Sequence, residues 1–170
     1  MRSININLSP EGIDEALALL EEYHKEIKAK AKETIVAIAE DSANTARTQY
    51  DMAKAAYDSR DSHEVTVVQP RKKNTVKVRA TGNSIAFYEF GSGIFAGQGY
   101  PTEFIPDGVD VSPGSWSQSD LGKGHFDLAS HPFWWWHHNK YTGVEPYMGM
   151  YEASKTARNN AETHIKRIFT

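Results

Sequence analysis

Five residues able to ligate a divalent metal fall close together late in the chain: His125, Asp127, His131, His137 and His138. Imidazole nitrogen and carboxylate oxygen suit zinc and related ions, and a metal with an open coordination position activates water. Metal-dependent hydrolysis, of cell wall or nucleic acid, is therefore the chemistry this cluster would carry. The spacing does not by itself build such a site. There is no His-Glu-x-x-His helix, and Pro132 followed by Trp134, Trp135 and Trp136 interrupts the run, so no regular element fixes the ligands. Solvent-facing or locally satisfied loop histidines are the simpler reading, and neither a metal nor another cofactor is expected.

The aromatic run Phe133, Trp134, Trp135 and Trp136, with Trp116 and Tyr141, could stack on sugar rings or bases. Packing within the loop or at a subunit interface explains it more economically, because Trp is enriched where interfaces are anchored. Gly122-Lys123-Gly124 lacks the spacing and the Ser/Thr of a phosphate-binding loop, and Arg71-Lys72-Lys73 reads as a solvated turn. No Gly-x-Ser-x-Gly elbow marks a hydrolase. The absence of cysteine removes thiol nucleophiles, disulfides and Cys-based zinc sites. No catalytic constellation remains, so the chain is expected not to be an enzyme.

These residues must be positioned by elements that the pattern of apolar residues defines. Ser3 to Leu8 alternates with period two and suits a short strand. Ser9-Pro10-Glu11 then supplies a helix cap, a first-turn proline and an acid at the positive end of the dipole. From Ile13 a stripe steps by three or four through Leu17, Leu20, His24, Ile27 and Ala31, and continues from Ile35 to Ala56 by way of Ile38, Ser42, Ala46, Gln49 and Ala53. One helix of that length would approach 70 Å, so it must either break, with residues 41–45, where large aliphatics give out, as the place, or project from the rest of the domain.

Glu64 to Val68 and Thr75 to Arg79 are alternating β-branched runs joined by a polar turn, which makes a hairpin. After Gly82-Asn83, Ser84 to Phe90 reads as a third strand, on which Glu89 could accept bonds from the following turn or pair with Arg79. Residues 92–143 form a long Gly/Pro/Trp/His-rich insertion, and Pro146 opens a C-terminal helix. The expected fold is a single α+β domain spanning 1–170. It has an antiparallel sheet of three to four strands, with the long N-terminal helix and the C-terminal helix packed on it.

At 170 residues, with 39% apolar, 11% aromatic and 24% charged side chains, the chain is sized and composed to bury one core. Nineteen basic against twenty-two acidic residues leave a net charge of −3, which provides no global attraction to DNA or anionic membranes. No apolar stretch approaches the roughly 18 residues of a membrane span, and the first residues lack the apolar core of a signal peptide. A cytoplasmic location during synthesis is expected.

The series Glu89, Phe90, Gly91, Ser92 and Gly93, then the insertion, then Pro146, Tyr147 and Met148 at the start of the last helix resembles the neck or tail-completion family of long-tailed bacteriophages and prophages. The resemblance follows nearly the whole chain in order. Ser92 stands where Thr is usual, and Gly149 where Arg or another large residue is common. It implies a virion structural protein without catalysis, located in the neck or tail and in the host cytoplasm during assembly. It further implies a homo-oligomeric ring at the head-tail junction, in contact with head-connector and tail proteins, through which DNA passes without sequence-specific binding. The aromatic residues of the insertion would then be candidate subunit contacts.

Overall fold

The computed structural model describes residues 9–57, 62–70, 75–92, 95–109, 111 and 143–169, and the backbone of 134–136 and 139–141. Helix α1 runs without interruption over Pro10–Ala56. Ser9 caps it by accepting from the Gly12 N–H at 3.1 Å, as the Ser-Pro-Glu signal requires. Of the two alternatives, a break near 41–45 does not occur. No glycine or proline interrupts that stretch.

The same stretch is braced from outside by helix α3, Gly149–Phe169, which runs antiparallel to α1. Thr45 and Thr156 share a hydroxyl hydrogen bond of 3.0 Å, and Asp41 lies 2.6 Å from His164 Nε2 and 3.5 Å from Asn160 Nδ2. Small residues on the α1 stripe let the helices approach closely. Ala43, Ala46 and Ala53 of α1 and Ala153 of α3 are buried in the core with Tyr50.

Strands β1, His63–Val68, and β2, Lys77–Gly82, form the expected hairpin in antiparallel register, with Val65 opposite Ala80 and Val67 opposite Val78. Val65 points into the core, and its carbonyl accepts from Arg47 Nε at 3.1 Å and Nη2 at 2.8 Å, which fastens the hairpin to α1.

The segment read as a third strand is instead helix α2, Ile85–Phe90. Tyr88 and Glu89 are both buried while Ile85 packs against the same core, a positional pattern of i, i+3 and i+4 that a strand, alternating faces, cannot present. Among the described residues the sheet therefore holds two strands, not three or four. A separate antiparallel ribbon pairs β3, Trp134–Trp136, with β4, Asn139–Tyr141. The strand expected at Ser3 to Leu8 lies outside the described residues. Among the described residues the architecture is α+β: two long helices, a short helix, a small antiparallel sheet and the separate ribbon.

Candidate functional site

Glu89 is 4% exposed, and its carboxylate is where the elements meet. Oε2 accepts from the Tyr50 hydroxyl of α1 at 2.8 Å and from the Met150 N–H of α3 at 2.8 Å. Oε1 accepts from the Tyr100 hydroxyl at 2.8 Å and from the Tyr151 N–H at 3.1 Å. A buried carboxylate is tolerable only when its oxygens are paired, and here two of the donors are otherwise unsatisfied N–H groups at the positive end of a helix. Burial, and then the adjacent negative charge of Glu89, push the Tyr50 hydroxyl far above its ordinary pKa. Burial and the hydrogen bond to Glu89 raise that of Tyr100 as well. Both phenols therefore stay protonated and donating across the physiological range.

The residues following Glu89 serve the same junction. Phe90 lies against Tyr100 with ring centroids 4.9 Å apart. Gly91 ends α2 at φ 77°, and a Cβ there would come within 2.7 Å of the Phe95 carbonyl and 3.0 Å of Pro146 Cδ, so the position excludes a side chain. Ser92 donates its N–H to the Val144 carbonyl at 2.8 Å and accepts the Val144 N–H on Oγ at 3.0 Å. These two bonds close the base of the insertion.

Pro146, Tyr147 and Met148 precede α3 rather than forming its first turn, because the Tyr147 and Met148 N–H groups turn to the Tyr88 carbonyl at 2.6 and 3.3 Å. Met148 sits at φ 53°, the left-handed region. The helix begins at Gly149, where a Cβ would lie 2.6 Å from the Tyr50 ring. A large residue has no room at that position, which gives the departure from the resembled pattern a local cause. The Tyr147 ring meets Tyr57 edge-on at 6.2 Å, and the Tyr57 hydroxyl accepts the Glu145 N–H at 2.7 Å.

Beside this junction runs a groove of about 590 Å³ lined by β2, α2, α3 and the stretch 100–106, including Arg79, Ala80, Ile85, Phe104, Pro106 and Met150. Arg79 lines it together with Glu89, but the carboxylate's hydrogen bonds go to the two tyrosines and to α3, not to Arg79. Each carboxylate oxygen is already engaged by two donors. The junction holds four segments in one arrangement.

Of the residues singled out in the sequence, Glu89, Phe90, Gly91, Ser92, Pro146, Tyr147 and Met148 come together here, while Gly93 lies outside the described residues. So do His125, Asp127, His131, His137, His138, Trp116 and Phe133. For Trp134, Trp135, Trp136 and Tyr141 only the backbone ribbon is described. Among the described residues no group of three or more His, Asp or Glu is gathered as a metal site would need. No described helix is long and apolar enough to cross a membrane.

Sequence reasoning missed Tyr50 and Tyr100. The α1 stripe read from the sequence runs through Gln49, whereas Tyr50 is the residue at 0% exposure. The steps from Ala46 to Tyr50 to Ala53 fit the helical period equally well, so the aromatic residue was the available signal. Searches against protein-family models, curated proteins and solved structures found no match to this chain.

Proposed function

We propose that this chain is a structural component of a tailed-phage virion, a neck or tail-completion protein that assembles as a ring at the head-tail junction. The observation that carries this reading is the use made of the two motifs on which the resemblance rests. They lie more than fifty residues apart in the chain, and they meet at one junction, where the Tyr147 and Met148 N–H groups bond the Tyr88 carbonyl and the neighbouring Glu89 carboxylate is spent on anchoring helix α3. A group so engaged supports a scaffold and not a turnover site.

Two further features agree. Helix α1 extends well past α3 and carries large apolar side chains at its surface, as a protein built to meet neighbours requires. A net charge of −3 disfavours adhesion to DNA moving past. In this reading the aromatic ribbon at Trp134–Trp136 and Asn139–Tyr141 reaches an adjacent subunit, because interface anchors are preferentially aromatic. Head-to-tail contacts of this kind close into a ring when the rotation between subunits allows it.

The test is native mass spectrometry of the chain alone and with its head-connector and tail partners, in buffer containing divalent metal. A metal-free ring, formed by the chain itself or only on those partners, is the expected result. A monomer or dimer that stays so with the partners and holds one divalent ion per chain, lost in His131→Ala, would overturn the proposal in favour of a metal-dependent hydrolase.

A further inference from the structure

The α1 stripe continues beyond the part that α3 covers. Asp41 meets His164, and α3 ends five residues later at Phe169, so with a rise of about 1.5 Å per residue it stops near position 36 of α1. The preceding part of α1 is about 37 Å long. Ile13 is 44% exposed there, Leu17 55%, Leu20 48% and Ile27 38%.

These residues follow a seven-residue repeat. Ile13, Leu20 and Ile27 occupy one seam position and Leu17, His24 and Ala31 the other, alternating by four and three as in a two-stranded coiled coil. Charge along the same stretch is divided by sign. Glu11, Asp14, Glu15, Glu21 and Glu22 precede any lysine of the helix, and Lys25, Lys28, Lys30 and Lys32 then follow with only Glu26 among them. A parallel partner would set acid on acid and base on base.

From this complementarity we infer that the apolar seam of α1 is occupied by the same helix of a second copy of the chain, running antiparallel about a two-fold axis near residue 22. In that register Ile13 of one copy packs on Ala31 of the other, Leu17 on Ile27 and Leu20 on His24, and the axis repeats each pair. Asp14 flanks the seam beside Lys28 of the second copy. Glu21 meets its own counterpart at the centre, with His24 on the neighbouring seam position to receive it. The polar His24 within an otherwise apolar seam fixes this register at some cost in strength. The pairing concerns the free chain and does not rest on the neck reading.

Because the chain has no cysteine, engineered thiols report the pairing cleanly. Ile13→Cys and Ala31→Cys lie on the part of α1 that α3 does not reach. Sedimentation of the unmodified chain is expected to show a reversible dimer. Oxidising an equimolar mixture of the two variants should yield the 13–31 disulfide heterodimer in large excess over either homodimer. Lys28→Glu should weaken the dimer roughly tenfold at low salt, and adding Asp14→Lys should restore it.

A chain monomeric at every concentration would overturn the inference, as would Ile13→Cys coupling to itself in preference to Ala31→Cys. Failure of the double charge reversal to restore pairing would also count against the antiparallel register. None of these outcomes bears on ring formation with neck partners, so the two proposals fail separately.

Discussion

Replacing Glu89 by Gln removes one charge and changes almost no volume, which isolates the carboxylate's part in holding α3. An amide has one acceptor oxygen and one donating NH₂. If the NH₂ takes the Oε2 place, the Tyr50 hydroxyl can turn and accept, but the Met150 N–H faces a donor; in the other orientation the Tyr151 N–H does. Either way one backbone donor at the start of α3 is orphaned, and the remaining bonds lose their charge.

With hydrogen bonds to charged groups worth about 1.5–3 kcal/mol and an orphaned buried donor about 1–3, the expected loss is about 3–5 kcal/mol. For a domain of this size that lowers Tm by about 6–20 °C. The assay is urea and thermal unfolding followed by circular dichroism, with Glu103→Gln, an exposed carboxylate, as control. A Glu89→Gln protein melting within about 2 °C of the parent would refute the assignment of Glu89 as the junction's anchor.

Three further outcomes follow from neighbouring contacts. Tyr50→Phe deletes a donor to a buried carboxylate and should cost about 1.5–3 kcal/mol, whereas the buried Tyr88 hydroxyl has no hydrogen-bond partner among the described residues, so Tyr88→Phe should leave stability unchanged or raised in the same urea titration. Gly149→Ala gains about 1 kcal/mol of helix propensity but sets a methyl 2.6 Å from a Tyr50 ring that is fully buried and tied at its hydroxyl, so chemical denaturation should show a net loss of about 1–2 kcal/mol. Because the Tyr50 and Tyr100 pKa values are raised on folding, the folded chain keeps protons that the unfolded chain releases above pH 10. Stability should be level below that pH and fall above it, by up to about 1.4 kcal/mol per pH unit for Tyr50, as measured by Tm across pH 8–11.5 in the parent and in Tyr50→Phe.

The long elements were legible because their signals are repeated many times over. The Ser9 cap and the apolar stripe located α1, and two alternating β-branched runs located the hairpin. Where a few residues had to decide, tertiary contacts overrode the local pattern. Ser84 to Phe90 is rich in residues that favour strands, yet burying Tyr88 and Glu89 together requires a helical turn. The polar composition of 41–45 suggested a break because α3 was not yet in place to pair with Asp41 and Thr45. For the junction, the Glu89 and Pro146 motifs were legible as a series, but of the two tyrosine donors Tyr50 comes from a helix 39 residues earlier and Tyr100 from a turn 11 residues later, and neither spacing marks a pair. Spacing along a sequence carries no record of which tyrosine a fold will bring to a carboxylate.

The pair of hydrogen bonds between Ser92 and Val144 has a consequence for how such a chain can vary. The two segments of backbone entering and leaving the insertion are already fixed against each other, and the first part of the insertion belongs to the same frame, because Tyr100 donates to Glu89 and Phe104 packs on Tyr151. Doubling the length of a closed loop adds only about 0.6 kcal/mol of closure entropy. The stretch between Phe104 and Val144 therefore works as a graft point, where sequence can be lengthened, shortened or exchanged while the two-helix frame keeps its stability.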